Sequence, residues 1–245
     1  MSKFGLLGKN IDYSFSKSFF TEKFEKESLS HTYENFDIQS LENFHALIAE
    51  NNTLKGLNVT IPYKEKIIPY LDGLDDTARK IGAVNVIKIL QNNRLLGYNS
   101  DYFGFITALS VFLPLKRKTA LILGTGGASK AIAFALDQLD FEYRYVSRTP
   151  VENSLSYTDL NKKLIEKYHL IVNCTPLGTS PRISDFPPIP YQFLTQNHLA
   201  FDLIYNPTET EFMKKAKFYG AKTCNGLIML ESQANKAWEI WNSQP

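Results

Sequence analysis

The sequence contains only two cysteines, Cys174 and Cys224, among its 245 residues. Two cysteines are too few for a disulfide framework and lack the spacing of metal ligands, and the four histidines form no ligand pair, so no metal is expected. No apolar run has the length of a membrane span, and the N-terminus enters a predicted strand without the anatomy of a signal peptide. These absences predict a cytoplasmic protein with no membrane partner.

A large excess of one charge is missing as well. The net charge is +2 at pH 7, and the lysines and arginines are scattered along the chain, which gives no electrostatic reason to expect nucleic acid as a partner. The hydrophobic share of 44% is enough for a real core, and the length fits one large or two modest domains. We expect a small molecule as the partner, and a monomer or a homodimer as the assembly.

A glycine-rich turn follows the predicted strand 119–123 and precedes an alanine-rich predicted helix. In this order, Gly124 makes a tight turn, and Gly126 lets the backbone approach a pyrophosphate at the helix N-terminus. The predicted cofactor contacts in this turn are Gly124, Gly126, Gly127, Ala128 and Ser129. Ser129 replaces the third glycine of the dinucleotide fingerprint, and such turns also occur without a ligand. The residues at the end of the next predicted strand therefore have to distinguish a cofactor site from a turn without a ligand.

The end of the predicted strand 142–147 favours NADP over NAD. About 20 residues beyond the glycines, NAD-binding folds usually place an acidic residue for the ribose 2′-hydroxyl. This chain has Arg148 there, between Ser147 and Thr149. A guanidinium with adjacent hydroxyls suits a 2′-phosphate, whereas the alternative is a solvated arginine in a turn before proline.

Three serines at a two-residue period lie near the N-terminus: Ser14, Ser16 and Ser18. We expect an extended segment here, with a helix beginning near Phe19, so the three hydroxyls would share one side. Such a row beside a helix start can hold a carboxylate. The alternative is that one serine merely caps the helix.

Polar residues also interrupt apolar elements farther along the chain. Asn58 and Thr60 lie at the end of a predicted strand, and Lys64 follows Pro62, which we expect to open a helix. A lysine at such a junction can be a general acid or simply a solvated side chain. Asn85 interrupts a β-branched run and needs hydrogen-bond partners if it is buried.

Two further polar residues belong to predicted helices. Asp101 opens the helix after residue 98, either as an acid–base group or as its cap. Gln233 lies on the apolar stripe of the C-terminal helix 226–241, facing either a ligand or backbone. Strands and helices alternate from Lys118 to Gly220, which predicts a parallel, doubly wound sheet.

Together these motifs resemble the shikimate dehydrogenase (shikimate/quinate dehydrogenase) family from end to end. The matching runs are Ser14-Phe15-Ser16, 58–64, Gly82-Ala83-Val84-Asn85, Asn99-Ser100-Asp101, 124–129, Ser147-Arg148-Thr149, 173–178, 202–207 and Asn225-Gly226-Leu227 to Gln233. The family usually has histidine, proline and threonine where this chain has Tyr13, Lys17 and Ser100.

The resemblance implies an α/β enzyme of two domains that reduces 3-dehydroshikimate to shikimate with NADPH, in aromatic amino acid biosynthesis. Residues 1–101 plus 224–245 would form the substrate-binding and catalytic domain, and residues 102–223 a Rossmann-like NADP-binding domain. The C-terminal helix would return to the first domain.

The resemblance also assigns roles to individual residues. Lys64 and Asp101 would be the acid–base pair, and Ser14 and Ser16 would bind the substrate carboxylate. The other implied substrate contacts are Asn58, Thr60, Asn85, Tyr205 and Gln233. The implied cofactor contacts beyond the glycine turn are Ser147, Arg148, Thr149, Asn173, Thr175, Leu203 and Gly226.

Three other functions fit parts of the pattern. A relative that also oxidises quinate, with NAD as an alternative cofactor, would share the motifs, although Arg148 argues against NAD. A folate-processing dehydrogenase would have no obvious use for the serine pair. A non-catalytic NADP sensor would need neither Lys64 nor Asp101.

Overall fold

The structure, a computed structural model, describes residues 1–11, 15–149 and 154–244. The chain divides into two compact units, Met1–Ser100 with Gln233–Pro245, and Asp101–Ser232. Ser14 and Tyr13 lie outside the described residues. These units are defined by their compactness and not by their function. The functional domain boundaries predicted at residues 101 and 224 therefore stay a prediction.

The first unit is built on a six-stranded mixed sheet with the order β2-β1-β3-β5-β6-β4. Strands β1, β2 and β3 are parallel, whereas β5 is antiparallel to both β3 and β6. Its elements before residue 100 are β1 Ser2–Gly8, α1 Phe15–Lys26, β2 His31–Asp37, α2 Phe44–Glu50, β3 Leu54–Val59, β4 Gly73–Leu74, α3 Asp76–Ile81, β5 Val86–Ile89 and β6 Leu95–Tyr98. A hairpin around Asn92-Asn93 joins β5 and β6, with Asn93 at a φ of +59°.

Two local predictions for this unit are wrong. Helix α1 begins at Phe15, so Ser16 and Ser18 lie in a helix, where a two-residue step turns the side chain by about 200°. Ser16 is accordingly buried and Ser18 exposed, so they do not form a row. No helix opens at Pro62 either: turns lead from β3 to the short 3-10 helix Ile68–Tyr70.

The C-terminal helix α8, Leu227–Asn242, runs from the second unit into the first. Its end packs Ala234, Ala237 and Trp241 into an apolar cluster of the first unit. Trp241 donates from Nε1 to the Ile87 carbonyl oxygen at 3.0 Å. The helix therefore returns to the first unit as predicted, and Leu227 at its start is exposed.

A buried lysine holds the end of this helix. Lys88, in the middle of β5, is 6% exposed and donates to the Ser243 carbonyl oxygen at 2.5 Å and to Ser243 Oγ at 3.0 Å. Burial lowers the pKa of Lys88. Lys88 and Ser243, which are 155 positions apart, are thus joined. This connection fixes the end of α8, the helix that carries Gln233.

The second unit contains a six-stranded sheet, all parallel, with the order β12-β11-β10-β7-β8-β9. Its elements are α4 Asp101–Ser110, β7 Thr119–Leu123, α5 Gly127–Gln138, β8 Glu142–Ser147, β9 Ser154–Ser156, α6 Lys162–Lys167, β10 Leu170–Asn173, β11 Leu199–Asp202, α7 Glu211–Phe218 and β12 Lys222–Cys224. The two edge strands, β9 and β12, were not predicted, because runs of three residues carry too little periodicity.

Alternation along the central strands explains the layers of this unit. Ala120 and Ile122 of β7 pack in one apolar cluster with α4 and α5, whereas Leu121 and Leu123 pack in a second cluster with α6 and α7. Helices therefore cover both faces, and the predicted α/β, doubly wound class is confirmed. Within the described residues, no helix is both long and apolar enough to cross a membrane.

Candidate active site

In the first unit, a tyrosine connects two of the predicted substrate residues. Tyr33 is 4% exposed, and its hydroxyl donates to Asn58 Oδ1 at 2.7 Å. Burial raises the pKa of Tyr33, and the Ser16 hydroxyl lies within hydrogen-bonding reach of the same oxygen. Because Asn58 accepts through Oδ1, its Nδ2 is directed to the Asn85 carbonyl oxygen, at 3.4 Å.

Asn85 is the centre of a second buried group, with Ser100 and Gln233. Asn85 Oδ1 accepts from the Ser100 backbone N–H at 2.6 Å. Asn85 Nδ2 donates to Ser100 Oγ at 3.0 Å and to Gln233 Oε1 at 3.3 Å. All three residues are at most 8% exposed. Gln233, the polar residue on the apolar stripe of the C-terminal helix, therefore has a hydrogen-bond partner from a distant part of the chain.

Thr60 and Lys64 lie in the turn after β3. Thr60 is half-buried, and its N–H donates to the Leu7 carbonyl oxygen at 2.9 Å. The Lys64 carbonyl oxygen accepts from Val84 N–H at 2.7 Å, so its main chain is fixed even though no helix holds it. The Lys64 side chain is half-buried.

Asp101 begins helix α4 in the second unit and is 5% exposed. Asn99, two residues earlier, donates from Nδ2 to the Ala83 carbonyl oxygen at 2.9 Å. A buried carboxylate at the first turn of a helix is favoured by the local peptide dipoles.

The glycine turn between β7 and α5 has the geometry that the sequence predicts. Gly124 has a φ of +103°, which only glycine adopts readily, and its N–H donates to the Val146 carbonyl oxygen at 2.9 Å. A Cβ on Gly126 would meet nothing within 4 Å. Gly126 caps α5 without any side-chain hydrogen bond. The first turn of α5 thus presents backbone and open space.

Ser129 turns inward at the place of the third glycine. It is fully buried, and its Oγ donates to the Gly126 carbonyl oxygen at 2.6 Å. The Ser129 hydroxyl therefore stabilises the turn from its buried side. Gly127 and Ala128 follow Gly126 in the first turn of α5.

The segment after β8 is exposed at Arg148 and Thr149, and Thr149 N–H bonds to Ser147 Oγ at 3.3 Å. Among the described residues, no carboxylate forms an ion pair with Arg148. Burial raises the pKa of Tyr157 to about 12, and the nearby positive charge of Arg148 opposes that rise. Tyr157, which the sequence did not single out, therefore lies near the guanidinium.

Asn173 ends β10, Thr175 follows it, and the two residues bond to each other. Thr175 donates to Asn173 Oδ1 from its N–H at 3.0 Å and from Oγ1 at 2.6 Å. Asn173 Nδ2 donates to Asp202 Oδ1 at 3.0 Å. Burial raises the pKa of Asp202 to about 6, against the lowering effect of hydrogen bonds from Thr210, Ile204 and Asn173.

Leu203, Tyr205 and Gly226 follow the neighbouring strands β11 and β12. Gly226 N–H donates to the Ile204 carbonyl oxygen at 3.0 Å, and a Cβ on Gly226 would overlap the Leu203 carbonyl oxygen. Tyr205 is half-buried. Because parallel strands end at one edge of the sheet, all predicted cofactor residues of the second unit share that edge.

The residues of this edge fit NADP. The first turn of α5, which has no side-chain cap, offers amides to phosphates, Gly126 leaves room for them, and Arg148 offers a guanidinium that no described carboxylate neutralises. Sequence reasoning overlooked Tyr33, Asp202 and Thr210 as partners of site residues. The first two are ordinary members of strands, and nothing in their spacing marks them.

Known proteins resemble this chain along almost its whole length. A model of the shikimate dehydrogenase substrate binding domain matches residues 6–87. The NADP(+) shikimate dehydrogenase of Desulforamulus reducens is 38% identical over 97% of this chain and 88% of its own length. Shikimate dehydrogenase 1 from Peptoclostridium difficile is 38% identical, with a TM-score of 0.86 over 100% of this chain and 93% of that one.

A further solved structure is that of shikimate 5-dehydrogenase from Thermus thermophilus in complex with NADP(H) and shikimate. It is 32% identical, with a TM-score of 0.87 over 99% of this chain and 94% of its own. Identity above 30% along almost the whole length leaves one conclusion. The chain belongs to the shikimate dehydrogenase family.

Proposed function

We propose that this chain is an NADP-dependent oxidoreductase that reduces 3-dehydroshikimate to shikimate, a step in the biosynthesis of chorismate and the aromatic amino acids. The observation that carries the proposal is the buried amide group of Asn58, Asn85 and Gln233. Asn85 and Gln233 are 148 positions apart and form a hydrogen bond at 3.3 Å. Buried amides of this kind are expected where a substrate with several hydroxyls is bound.

The proposed substrate contacts extend this group. Asn58, Asn85 and Gln233 would contact the substrate hydroxyls and ring, and the hydrogen bonds of the network hold their amides in fixed orientations. The remaining proposed contacts are Ser14 and Ser16 for the carboxylate, and Thr60 and Tyr205 for the ring. Ser16 is supported by its buried position next to Tyr33.

The acid–base chemistry is assigned to Lys64 and Asp101. The Lys64 ammonium would donate a proton to the ketone oxygen as negative charge develops there, and the Asp101 carboxylate would orient that ammonium. NADPH, when bound, supplies the hydride. The fixed main chain of Lys64 supports this role, because the turn that carries the side chain is held by Val84.

The cofactor is assigned to the sheet edge of the second unit. Gly124, Gly126, Gly127, Ala128 and Ser129 would form the pyrophosphate turn, and Ser147, Arg148 and Thr149 would surround the 2′-phosphate. Asn173, Thr175, Leu203 and Gly226 would line the remaining part of the edge. The proposed location is the cytoplasm, and the proposed assembly is a monomer or a homodimer.

The direct test is consumption of NADPH by purified protein with 3-dehydroshikimate, followed at about 340 nm, where reduced nicotinamide absorbs. NADH is run in parallel, and quinate with NADP+ is run in the reverse direction. We expect rapid oxidation of NADPH, little of NADH and slow or no oxidation of quinate. Folded protein that binds NADPH but reduces no 3-dehydroshikimate would contradict the proposed substrate. Equal use of NADH would contradict only the role of Arg148.

A further inference from the structure

Two buried polar residues face each other at the carboxyl ends of β10 and β11. Asn173 and Asp202 are partners in the parallel register, and both are fully buried. Asp202 Oδ1 accepts from Asn173 Nδ2 at 3.0 Å and from Ile204 N–H at 3.1 Å. The carboxylate therefore joins two neighbouring loops at the edge to which the cofactor is assigned.

The side-chain amide of Asn173 has no hydrogen-bonding capacity left for a ligand. Its Nδ2 donates to Asp202 and, at 3.4 Å, to the Leu177 carbonyl oxygen. Its Oδ1 accepts both the N–H and the hydroxyl of Thr175. An amide side chain has two donor hydrogens and two acceptor lone pairs, so all four are used inside the protein.

The loop that Asn173 holds forms one wall of the glycine turn. A Cβ on Gly124 would lie 3.2 Å from Thr175 Cγ2 and 3.5 Å from the Cys174 carbonyl carbon and oxygen. Cys174 N–H also donates to the Leu123 carbonyl oxygen at 2.9 Å. A shift of residues 174 and 175 would therefore change the space around the turn.

We propose that Asn173 and Asp202 are positioning residues for the cofactor, acting through Thr175 on the shape of the glycine turn. This inference rests on the proposed function and changes the predicted role of Asn173 from direct contact to support. The other oxygen of the carboxylate, Asp202 Oδ2, accepts from Thr210 Oγ1 at 2.6 Å, at the cap of helix α7. The nearest neighbours of Gly124 belong to residues 174 and 175, whereas Thr210 lies beside Gly178, so the Thr210 bond supplies the control.

Asn173→Ala and Thr210→Val form a matched pair, because each removes a side-chain donor to Asp202 from a fully buried position. The dissociation constant of NADPH is measured by fluorescence titration of the full chain without substrate, and stability by urea unfolding. Both variants should unfold at lower urea. Only Asn173→Ala should raise the dissociation constant, by about tenfold, with Thr210→Val within about twofold of wild type.

Steady-state kinetics separate positioning from general damage. For Asn173→Ala, the KM for NADPH should rise while kcat at saturating NADPH and the KM for 3-dehydroshikimate stay near wild type. Thr175→Val, which keeps the branched shape beside Gly124 but loses the hydroxyl, should show a smaller rise and serves if Asn173→Ala does not fold.

Equal rises of the NADPH dissociation constant in Asn173→Ala and Thr210→Val would overturn the positioning role, and so would no rise in Asn173→Ala and Thr175→Val. Failure of the wild-type protein to bind NADPH would instead contradict the proposed cofactor. The two failures are therefore distinguishable.

Discussion

The two predicted binding regions use different parts of the polypeptide. In the first unit, the side chains of Asn58, Asn85 and Gln233 form the region, and they hold one another through neutral hydrogen bonds. In the second unit, the glycine turn presents backbone and open space at Gly126, and the hydroxyl of Ser129 turns inward. Ligand binding in the first region should therefore depend on which side chains are present. Ligand binding in the second region should depend on the absence of side chains at the glycines.

The largest effect should come from Lys64→Ala, because a general acid contributes about 10²- to 10⁴-fold to rate. We expect kcat for NADPH oxidation to fall in that range. The unfolding free energy should stay within about 0.5 kcal/mol of wild type, since the substitution leaves the Lys64 carbonyl bond to Val84 in place. Lys66→Ala, at an exposed lysine of the same turn, is the control and should keep normal kcat. A near-normal kcat in Lys64→Ala with bound substrate would end the acid role.

A second prediction asks whether charge distinguishes the two regions. The amide group of the first unit contains no ionisable side chain, whereas the second unit buries Asp202, whose pKa rises from 3.8 to about 6. Between about pH 4 and about pH 6, Asp202 holds a proton in the folded protein that it has released in the unfolded chain. The unfolding free energy therefore falls as pH rises through this range. The full loss is about 3 kcal/mol.

Asp202→Asn should remove this dependence, because an amide can keep both bonds at Oδ1 and donate to Thr210. Urea unfolding at pH 4.5 and pH 7 measures the unfolding free energy of the variant and of the wild type, and the difference between the two should change with pH. Ser100→Ala, in the neutral group, should lower stability by about 1–3 kcal/mol equally at both pH values. Parallel pH profiles for Asp202→Asn and wild type would show that Asp202 titrates normally.

A smaller effect is expected for Arg148→Gln. Loss of a charge-assisted hydrogen bond of about 1.5–3 kcal/mol should raise the NADPH dissociation constant about 10- to 100-fold, while NADH binding changes little. Arg144→Gln removes the same charge from an exposed position on β8 and serves as the control. If both variants weakened NADPH binding equally, the long-range field of the protein, and not a 2′-phosphate contact, would explain the effect.

Sequence reasoning succeeded where local chemistry is distinctive. Strand, glycine turn and helix at residues 119–138 follow from apolar alternation and from the φ that Gly124 requires. It failed at Ser16, because α1 begins four residues earlier than expected and helical geometry separates Ser16 from Ser18. The paired ends of Asn173 and Asp202 depend on strand register between segments 29 positions apart, which no local pattern encodes.

The smallest effect should separate two functions of glycine within one turn: permitting a backbone conformation and leaving room for a ligand. Gly126→Ala adds a Cβ that meets no atom of the chain, at a φ of −81° that alanine tolerates, so the unfolding free energy should not fall. The dissociation constant of NADPH should rise about tenfold, or ~1.4 kcal/mol, because the methyl group occupies the space left for phosphates. Gly124→Ala, at a φ of +103°, should instead lower stability by about 1–3 kcal/mol. Fluorescence titration and urea unfolding on both variants make the comparison, and a Gly126→Ala protein that binds NADPH normally would place the phosphates elsewhere on the edge.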